Sequence, residues 1–318
     1  MKITTAVVGV GAFGRGHARV LASLPSAELV AVVDSDAARA AGVAEEFGCH
    51  ALTDYRELIG QVRAVSLAVP TVLHAEVGIP LLEAGIDLLV EKPIADDLAS
   101  ADALIDAADR HDRVLQVGHL ERFNPIVEAA RRQAELPLFF EVHRMNPFSA
   151  RSLDIDVVLD LMIHDLDIVL SMVDSPIARL EATGVAILSP KADISSARLV
   201  FENGCVANLT ASRISVEKVR KLRFFQPRQY VSIDYASQQG SMYEIGESGK
   251  IKLAPLGASN SEPLARQAES FLEAVATRNT PRISGRDGRR ALDVGLRIVK
   301  EMDRHARVVA ATMAAKHK

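Results

Sequence analysis

A doubly wound α/β domain followed by an α+β domain with an open, mainly antiparallel sheet is the architecture this 318-residue sequence predicts. Three observations lead there. Up to about residue 120, apolar runs alternate with segments of helical period. Those runs lack the polar alternation of a half-exposed strand, so both faces are buried, as in a parallel sheet. After about Arg122, strands separated by turn signals follow one another with few helices between them.

In chain order, Ile3–Val10 reads as a strand, Gly14–Leu24 as a helix, Ala27–Asp34 as a strand and Asp36–Gly48 as a helix. Strands over Ala64–Pro70, Asp87–Pro93 and Arg113–His119 then alternate with helices over His74–Gly85 and Ala99–Asp112. In the second half Leu138–Met145 is a strand. Asp154–Val173 has apolar residues at three- and four-residue spacing and reads as one long helix covering a sheet face. Strands follow over Ala178–Leu188, Ser195–Asn203, Cys205–Ile214, Val219–Gln226, Gln229–Ala236 and Ser241–Ile245, with Glu202–Gly204 as a tight hairpin turn. A last helix, Gly288–Ala306, is expected to pack back on the first domain. The division is therefore 1–120, a dinucleotide-binding domain; 121–285, a substrate and oligomerisation domain; and 286–318, the returning helix.

A net charge of −4 gives no reason to expect nucleic acid as partner. Two distant cysteines, Cys49 and Cys205, cannot build a disulfide framework, which suggests a reducing compartment. Neither a signal peptide nor a charge-free window of membrane-spanning length is present, so the reading is cytoplasmic with no membrane partner. No metal-ligand cluster stands out.

Gly9, Gly11 and Gly14 form G-x-G-x-x-G directly after a strand and at the start of a helix. The first glycine suits a tight turn, the second a close approach of backbone to a pyrophosphate, the third helix–strand packing. Helix N-terminal amides then face the anion. Asp34 ends the second strand, where a carboxylate binds a ribose 2′-hydroxyl and repels a 2′-phosphate, so NAD is expected over NADP; Ser35 beside it accepts either. Ala12 and Phe13 within the loop complete this part of the cofactor set. Ligands of such sheets sit beyond the carboxyl ends of the strands. There the sequence places Pro70, Thr71 and His74, then Glu91, Lys92 and Pro93, then His119, Arg122 and Asn124. Pro70, Thr71, His74, Glu91 and Lys92 join the cofactor candidates; His119, Arg122 and Asn124 are substrate candidates. In the second half Asp160 and His164 are four apart and share a helix face, so the carboxylate can orient or charge the imidazole.

The glycine loop, Glu91-Lys92-Pro93 and Asp160-x-x-x-His164 together resemble the glucose–fructose oxidoreductase/inositol dehydrogenase (Gfo/Idh/MocA) family over nearly the whole chain. The resemblance implies Lys92, Asp160 and His164 as the active-site triad. Lys92 would contact the reacting hydroxyl, His164 would take its proton and Asp160 would position substrate and partner side chains. Imidazole suits general-base work near neutrality and an ammonium stabilises a developing alkoxide. A lysine beside another cation can also act as base, so that choice stays open, with His164 preferred.

"GHLERFNP", the Asp160/His164 helix and "RKLRFFQPRQYVSIDY" further resemble the branch of the family that oxidises carbon 3 of UDP-N-acetylglucosamine. That would place the chain before an aminotransferase in making a lipid A with amide-linked acyl chains. A diphosphate-bearing substrate needs cations. Arg144 and Arg151 are the leading candidates, with Arg213, Arg220, Lys221 and Arg228 behind them. "DIDVVL" stands where many sugar dehydrogenases of the family carry Gly-Gly, which argues against carrying over inositol or free-glucose specificity. A dehydrogenase of a free cyclitol or monosaccharide remains an alternative, as does a non-catalytic NAD-binding regulator; bilin reduction leaves Asp160 and His164 without a use. The family implies a homodimer or homotetramer.

Overall fold

The computed structural model describes residues 2–148, 155–246, 248–257 and 261–316. The chain divides into two compact units, Met1–Phe123 with Ser261–Leu292, and Asn124–Asn260 with Asp293–Lys318.

In the first unit six parallel strands run in the order β3-β2-β1-β4-β5-β6: β1 Ile3–Val8, β2 Ala27–Val33, β3 His50–Leu52, β4 Ala64–Leu67, β5 Asp87–Glu91 and β6 Leu115–Gly118. The order reverses between β1 and β4, which opens the crevice in which such sheets bind dinucleotides. Helices α1 (Ala12–Ser23), α2 (Ala37–Phe47), α3 (His74–Glu83) and α4 (Leu98–Arg110) connect the strands. Every residue of β4 and all but the last of β5 are buried, as expected of strands covered on both faces.

The chain comes back to this unit earlier than the expected boundary at 286. An unexpected helix, Pro263–Thr277, lays Ala268, Phe271, Leu272, Ala274 and Val275 into the core with Ile3, Val7, Val20 and Leu21. Its apolar stripe, three to four residues apart, is what takes Ser261–Leu292 out of the expected second domain. The last helix begins at Gly285, but from Asp293 onward it belongs to the second unit, where Met302 packs on Ser195 and Gly184. Only its start therefore lies with the first domain.

The second unit holds an eight-stranded sheet in the order β14-β13-β12-β11-β7-β10-β9-β8. The strands are β7 Phe139–Met145, β8 Ile177–Val185, β9 Ile194–Phe201, β10 Val206–Ser212, β11 Val219–Gln226, β12 Gln229–Asp234, β13 Gln239–Ile245 and β14 Ile251–Pro255. Only β7 and β10 pair in parallel; the other neighbours are antiparallel. The Glu202–Gly204 turn joins β9 and β10 as expected, with Gly204 at φ 87°. Residues alternate across the sheet. Phe140 and Val142 of β7, Leu222 and Phe224 of β11, and Val231 and Ile233 of β12 are buried on one face. On the other, Phe225 stacks on Tyr230 (4.7 Å) and Tyr230 on Tyr243 (5.2 Å).

The expected long helix begins differently. Val158–Met162 forms a π-turn, and the α-helix proper, α6, is Ile163–Met172. An additional helix, α5, spans Pro125–Gln133 and packs on β12 and β13.

Between β8 and β9, Asp193 is fully buried. Its carboxylate accepts from the backbone N–H of Ile187 (2.7 Å), Leu188 (2.6 Å) and Ser189 (3.1 Å) and from the Ser189 hydroxyl (2.7 Å). Burial opposes ionisation, but these donors outweigh it and hold the carboxyl down to about 2. A depressed folded value stabilises above the ordinary carboxylate range and ceases to do so as pH falls through the folded value. Asp193→Asn is therefore expected to cost about 2 kcal/mol at neutral pH. The gap to wild type should close between about pH 4 and pH 2 in urea-unfolding midpoints. A gap independent of pH would remove this account.

Candidate active site

The glycine loop earns each of its glycines separately. Gly9 has φ +84° and a Cβ there would sit 2.7 Å from the Ala68 carbonyl oxygen. A Cβ on Gly14 would fall 1.7 Å from the Gly9 carbonyl oxygen, so this glycine lets α1 start directly against β1. A Cβ on Gly11 would meet no protein atom within 4 Å. Gly11 instead lines a cavity of about 540 Å³ together with Gly9, Ala12, Phe13, Asp34, Ser35, Val69 and Pro70. Steric need thus explains Gly9 and Gly14, whereas Gly11 keeps a wall of the cavity low, as a cradle for a pyrophosphate requires. Gly14→Ala is expected to destabilise the fold. Gly11→Ala should fold normally and weaken NADH at least about tenfold, read by cofactor fluorescence; unchanged NADH affinity in Gly11→Ala would remove the cradle.

Asp34 follows the last residue of β2 and is almost completely buried. Its Oδ2 accepts from the Val10 N–H (2.9 Å) and its Oδ1 from the Asp36 N–H (3.0 Å). Arg39 Nη1 donates to both oxygens, at 3.0 and 3.2 Å. Burial works against the charge, but the two backbone donors and Arg39 prevail and hold the carboxyl below its usual value. Asp34 is thus an anion at the pocket wall over the physiological range. Arg39, Thr53, Tyr55 and Leu73 also line the cavity. Residues 53 and 55 follow the short strand β3, which carries no strand signal of its own, and only the fold brings them here.

Besides Gly14, four expected cofactor residues stand outside that lining. Thr71 begins a single 3-10 turn, Thr71–Leu73. His74 is buried, with Nδ1 facing the carbonyl oxygens of Pro93 (3.0 Å) and Ile94 (3.3 Å) and Nε2 facing that of Val69 (3.0 Å). Burial pushes the imidazole's pKa down. It braces the loop after β4 against the one after β5. Glu91 is held by a histidine the sequence reading missed. His17 Nε2 lies 3.0 Å from Glu91 Oε1, while His17 Nδ1 lies 2.8 Å from the Ser66 hydroxyl. Glu91 Oε2 accepts from the Lys92 N–H (3.2 Å). Although burial opposes it, His17 and then Lys92 keep the Glu91 carboxyl below its usual range. Glu91 thereby fixes the backbone from which half-buried Lys92 projects; the Lys92–Pro93 peptide is cis.

In the second unit Asp160 lies inside the π-turn and its N–H donates to the Asp156 carbonyl (3.0 Å). His164 is the second residue of α6; both side chains are half-buried. The two positions, four residues apart, therefore lie on either side of the junction between the π-turn and α6.

The remaining substrate candidates divide. His119 and Arg122 are buried, and Arg122 lies 3.5 Å from Asp287. Asn124 caps α5, its Oδ1 accepting from the Ile126 N–H (3.3 Å) and its Nδ2 donating to the Tyr235 carbonyl (2.9 Å). Arg144 corrects the expectation of a phosphate-facing cation. It is 1% exposed, and its Nε and Nη2 donate to Asp165 at 2.9 and 3.1 Å. The reason is strand parity: Arg144 shares a face with Phe140 and Val142, which are in the core. Arg151 lies outside the described residues. Arg213 is buried and donates to the Ile155 carbonyl; Arg228 is exposed and closes a turn onto the Ile245 and Gly246 carbonyls; Lys221 is exposed. Among the described residues no group of histidines, cysteines and acids could hold a metal ion, and no helix is long and apolar enough to cross a membrane.

A parallel sheet with a glycine cradle at its crevice and an anionic aspartate after its second strand is the equipment of an oxidoreductase that uses a nicotinamide dinucleotide. The chain belongs to the GFO/IDH/MocA oxidoreductase family. Residues 3–119 match its NAD-binding Rossmann-fold domain and residues 127–229 its C-terminal domain. It is 38% identical over 94% of its length, and 96% of the relative's, to UDP-N-acetylglucosamine 3-dehydrogenase of Acidithiobacillus ferrooxidans. The solved structure of that enzyme superposes with a TM-score of 0.90 at 36% identity, covering 95% of this chain and 98% of the other. Inositol 2-dehydrogenase of Corynebacterium glutamicum is 32% identical over 57% of each chain.

Proposed function

We propose that this chain oxidises the carbon-3 hydroxyl of UDP-N-acetylglucosamine to a ketone, with NAD as oxidant. The observation that carries the reading is similarity along nearly the whole chain to an enzyme of that name, at 38% identity over 94% of the residues. The presence of Lys92, Asp160 and His164 supports it, because alcohol oxidation needs a proton acceptor and a cation at the oxygen.

NAD, when bound, supplies the hydride acceptor. The chain's own residues handle the oxygen and its proton. His164 takes the hydroxyl proton, Lys92 stabilises the alkoxide as the C–H electron pair leaves with the hydrogen, and Asp160 positions substrate and imidazole. Glu91, through the Lys92 amide and the His17 contact, holds the strand end that presents Lys92. His119, Arg122 and Asn124 contribute on the substrate side. The 3-keto sugar formed is a substrate for an aminotransferase, which would yield a 3-amino sugar for lipid A assembly, and both reactions belong in the cytoplasm.

The assay is NADH formation by the purified chain. Turnover with UDP-N-acetylglucosamine but not with inositol or glucose supports the reading. Turnover of inositol or glucose instead assigns a free cyclitol or monosaccharide, and NADH binding without turnover of any of them assigns a regulator.

We also propose that the chain is a homodimer or homotetramer associated through the aromatic row of Phe225, Tyr230 and Tyr243 on the sheet face away from the core. Tyr230→Glu should halve or quarter the mass measured by light scattering. An unchanged oligomer would place the interface elsewhere.

A further inference from the structure

We propose that Arg213 is a positioning residue for Asp160 and His164: with the loop between β8 and β9 it fixes the residues that lead into the π-turn, and so sets where Asp160 stands. The proposal rests on the reaction proposed above, in which Asp160 and His164 take part. The Asp160 N–H donates to the Asp156 carbonyl (3.0 Å), so Asp160 follows whatever holds Asp156. The three residues before the turn are each held from outside the helix. Arg213 Nη2 donates to the Ile155 carbonyl, Lys191 Nζ lies 3.7 Å from Asp156 Oδ2, and the Val157 N–H donates to the Ala192 carbonyl (3.4 Å). These holders are tied to one another. The Arg213 N–H donates to the Asp193 carbonyl and the Asp193 N–H to the Val185 carbonyl, both at 2.9 Å. The Asp193 carboxylate then closes the loop on itself through the amides of Ile187, Leu188 and Ser189.

The π-turn is the reason a clamp is needed. It is closed by the Ile163 N–H on the Val158 carbonyl, five residues back. An α-turn over the same apolar residues is the commoner solution. Converting one into the other expels a residue, which turns the chain on one side by roughly 100° against the other and shifts it by about 1.5 Å. Asp160 lies inside the turn and His164 beyond it, so that rearrangement changes the distance between them. With Ile155, Asp156 and Val157 held, the extra residue has nowhere to go. Arg213 is 5% exposed. Burying a guanidinium is costly, and an apolar side chain of similar size commonly fills such a space without loss. What the arginine adds here is a donor at the Ile155 carbonyl. Lys191 is 51% exposed, so its removal spares the core and isolates its hold on Asp156.

The test combines hydrogen–deuterium exchange of the peptide carrying Asp156 to Asp165 with the kinetics of NADH formation from UDP-N-acetylglucosamine. In Arg213→Met, exchange in that peptide should rise at least about tenfold while the strands of the second sheet keep their protection. Its kcat should fall at least about tenfold with KM held within about threefold, and Arg213→Lys should recover part of both. Lys191→Ala should give the same pattern at about threefold, and it decides the case if Arg213→Met does not fold. Unchanged exchange in the turn, or a rise spread equally through the second unit, overturns the proposal, and so does a normal kcat beside raised exchange. A wild type that does not oxidise the nucleotide sugar removes the proposed function instead, and the exchange pattern alone then decides the clamp.

Discussion

Lys92→Ala and His164→Ala are each expected to lower the turnover of UDP-N-acetylglucosamine at least about a hundredfold, with NADH affinity held within about threefold. Under the proposed mechanism the loss should fall on kcat, because each residue would act on charge that develops as the alcohol is oxidised. Affinity should survive because Lys92 lies outside the lining of the dinucleotide cavity and His164 belongs to the other unit. Glu91→Gln acts one step back. It keeps the size of the side chain beside Gly118 but weakens the contact with His17, so kcat should fall while the cradle still binds NADH. Turnover close to wild type in Lys92→Ala or His164→Ala takes that residue out of the chemistry.

Asp165→Ala is expected to destabilise the second unit by about 3–5 kcal/mol, the usual result of removing one partner of a buried ion pair. The Arg144–Asp165 pair is 2% exposed on each side. The Tyr235 hydroxyl donates to Asp165, and the Arg144 guanidinium lies over the Tyr235 ring at 5.2 Å. Removing the carboxylate leaves a guanidinium that water does not reach. The double variant Arg144→Met with Asp165→Leu should be less destabilised than Asp165→Ala alone, because an apolar pair removes both desolvation costs. Urea-unfolding midpoints decide it. A loss under about 1 kcal/mol in Asp165→Ala would mean that Arg144 finds another anion or solvent.

The misplacement of Arg144 shows where sequence reading stops. Phosphate chemistry drew attention to the arginine, yet its parity with Phe140 and Val142 was the stronger signal, because period-two alternation fixes a face whatever the residue. The strands of the first unit were legible because burial on both faces leaves an unbroken apolar run. β3 was not, being the three residues His50–Leu52 with two exposed, nor was β14, where lysine interrupts an exposed edge. The π-turn at Val158–Met162 is as apolar as an α-helical turn would be there, so composition does not mark it. In the site, Gly9, Gly14 and Asp34 were readable because local backbone geometry demands them. His17, Arg39 and Tyr55 were not, since each acquires its role from a partner that only the folded chain supplies. His74 and Asn124 sat correctly near strand and helix ends, but hydrogen bonds to backbone give them bracing and capping work.

The most direct measurement uses UDP-N-acetylglucosamine carrying deuterium at carbon 3, incubated with the enzyme and NAD, with the NADH formed analysed by mass spectrometry. Oxidation at that carbon predicts NADH heavier by one deuterium, together with a 3-keto sugar that has lost the label. Unlabelled NADH would place the oxidation at another carbon, and no NADH at all would contradict the assignment of this chain as a dehydrogenase of the nucleotide sugar.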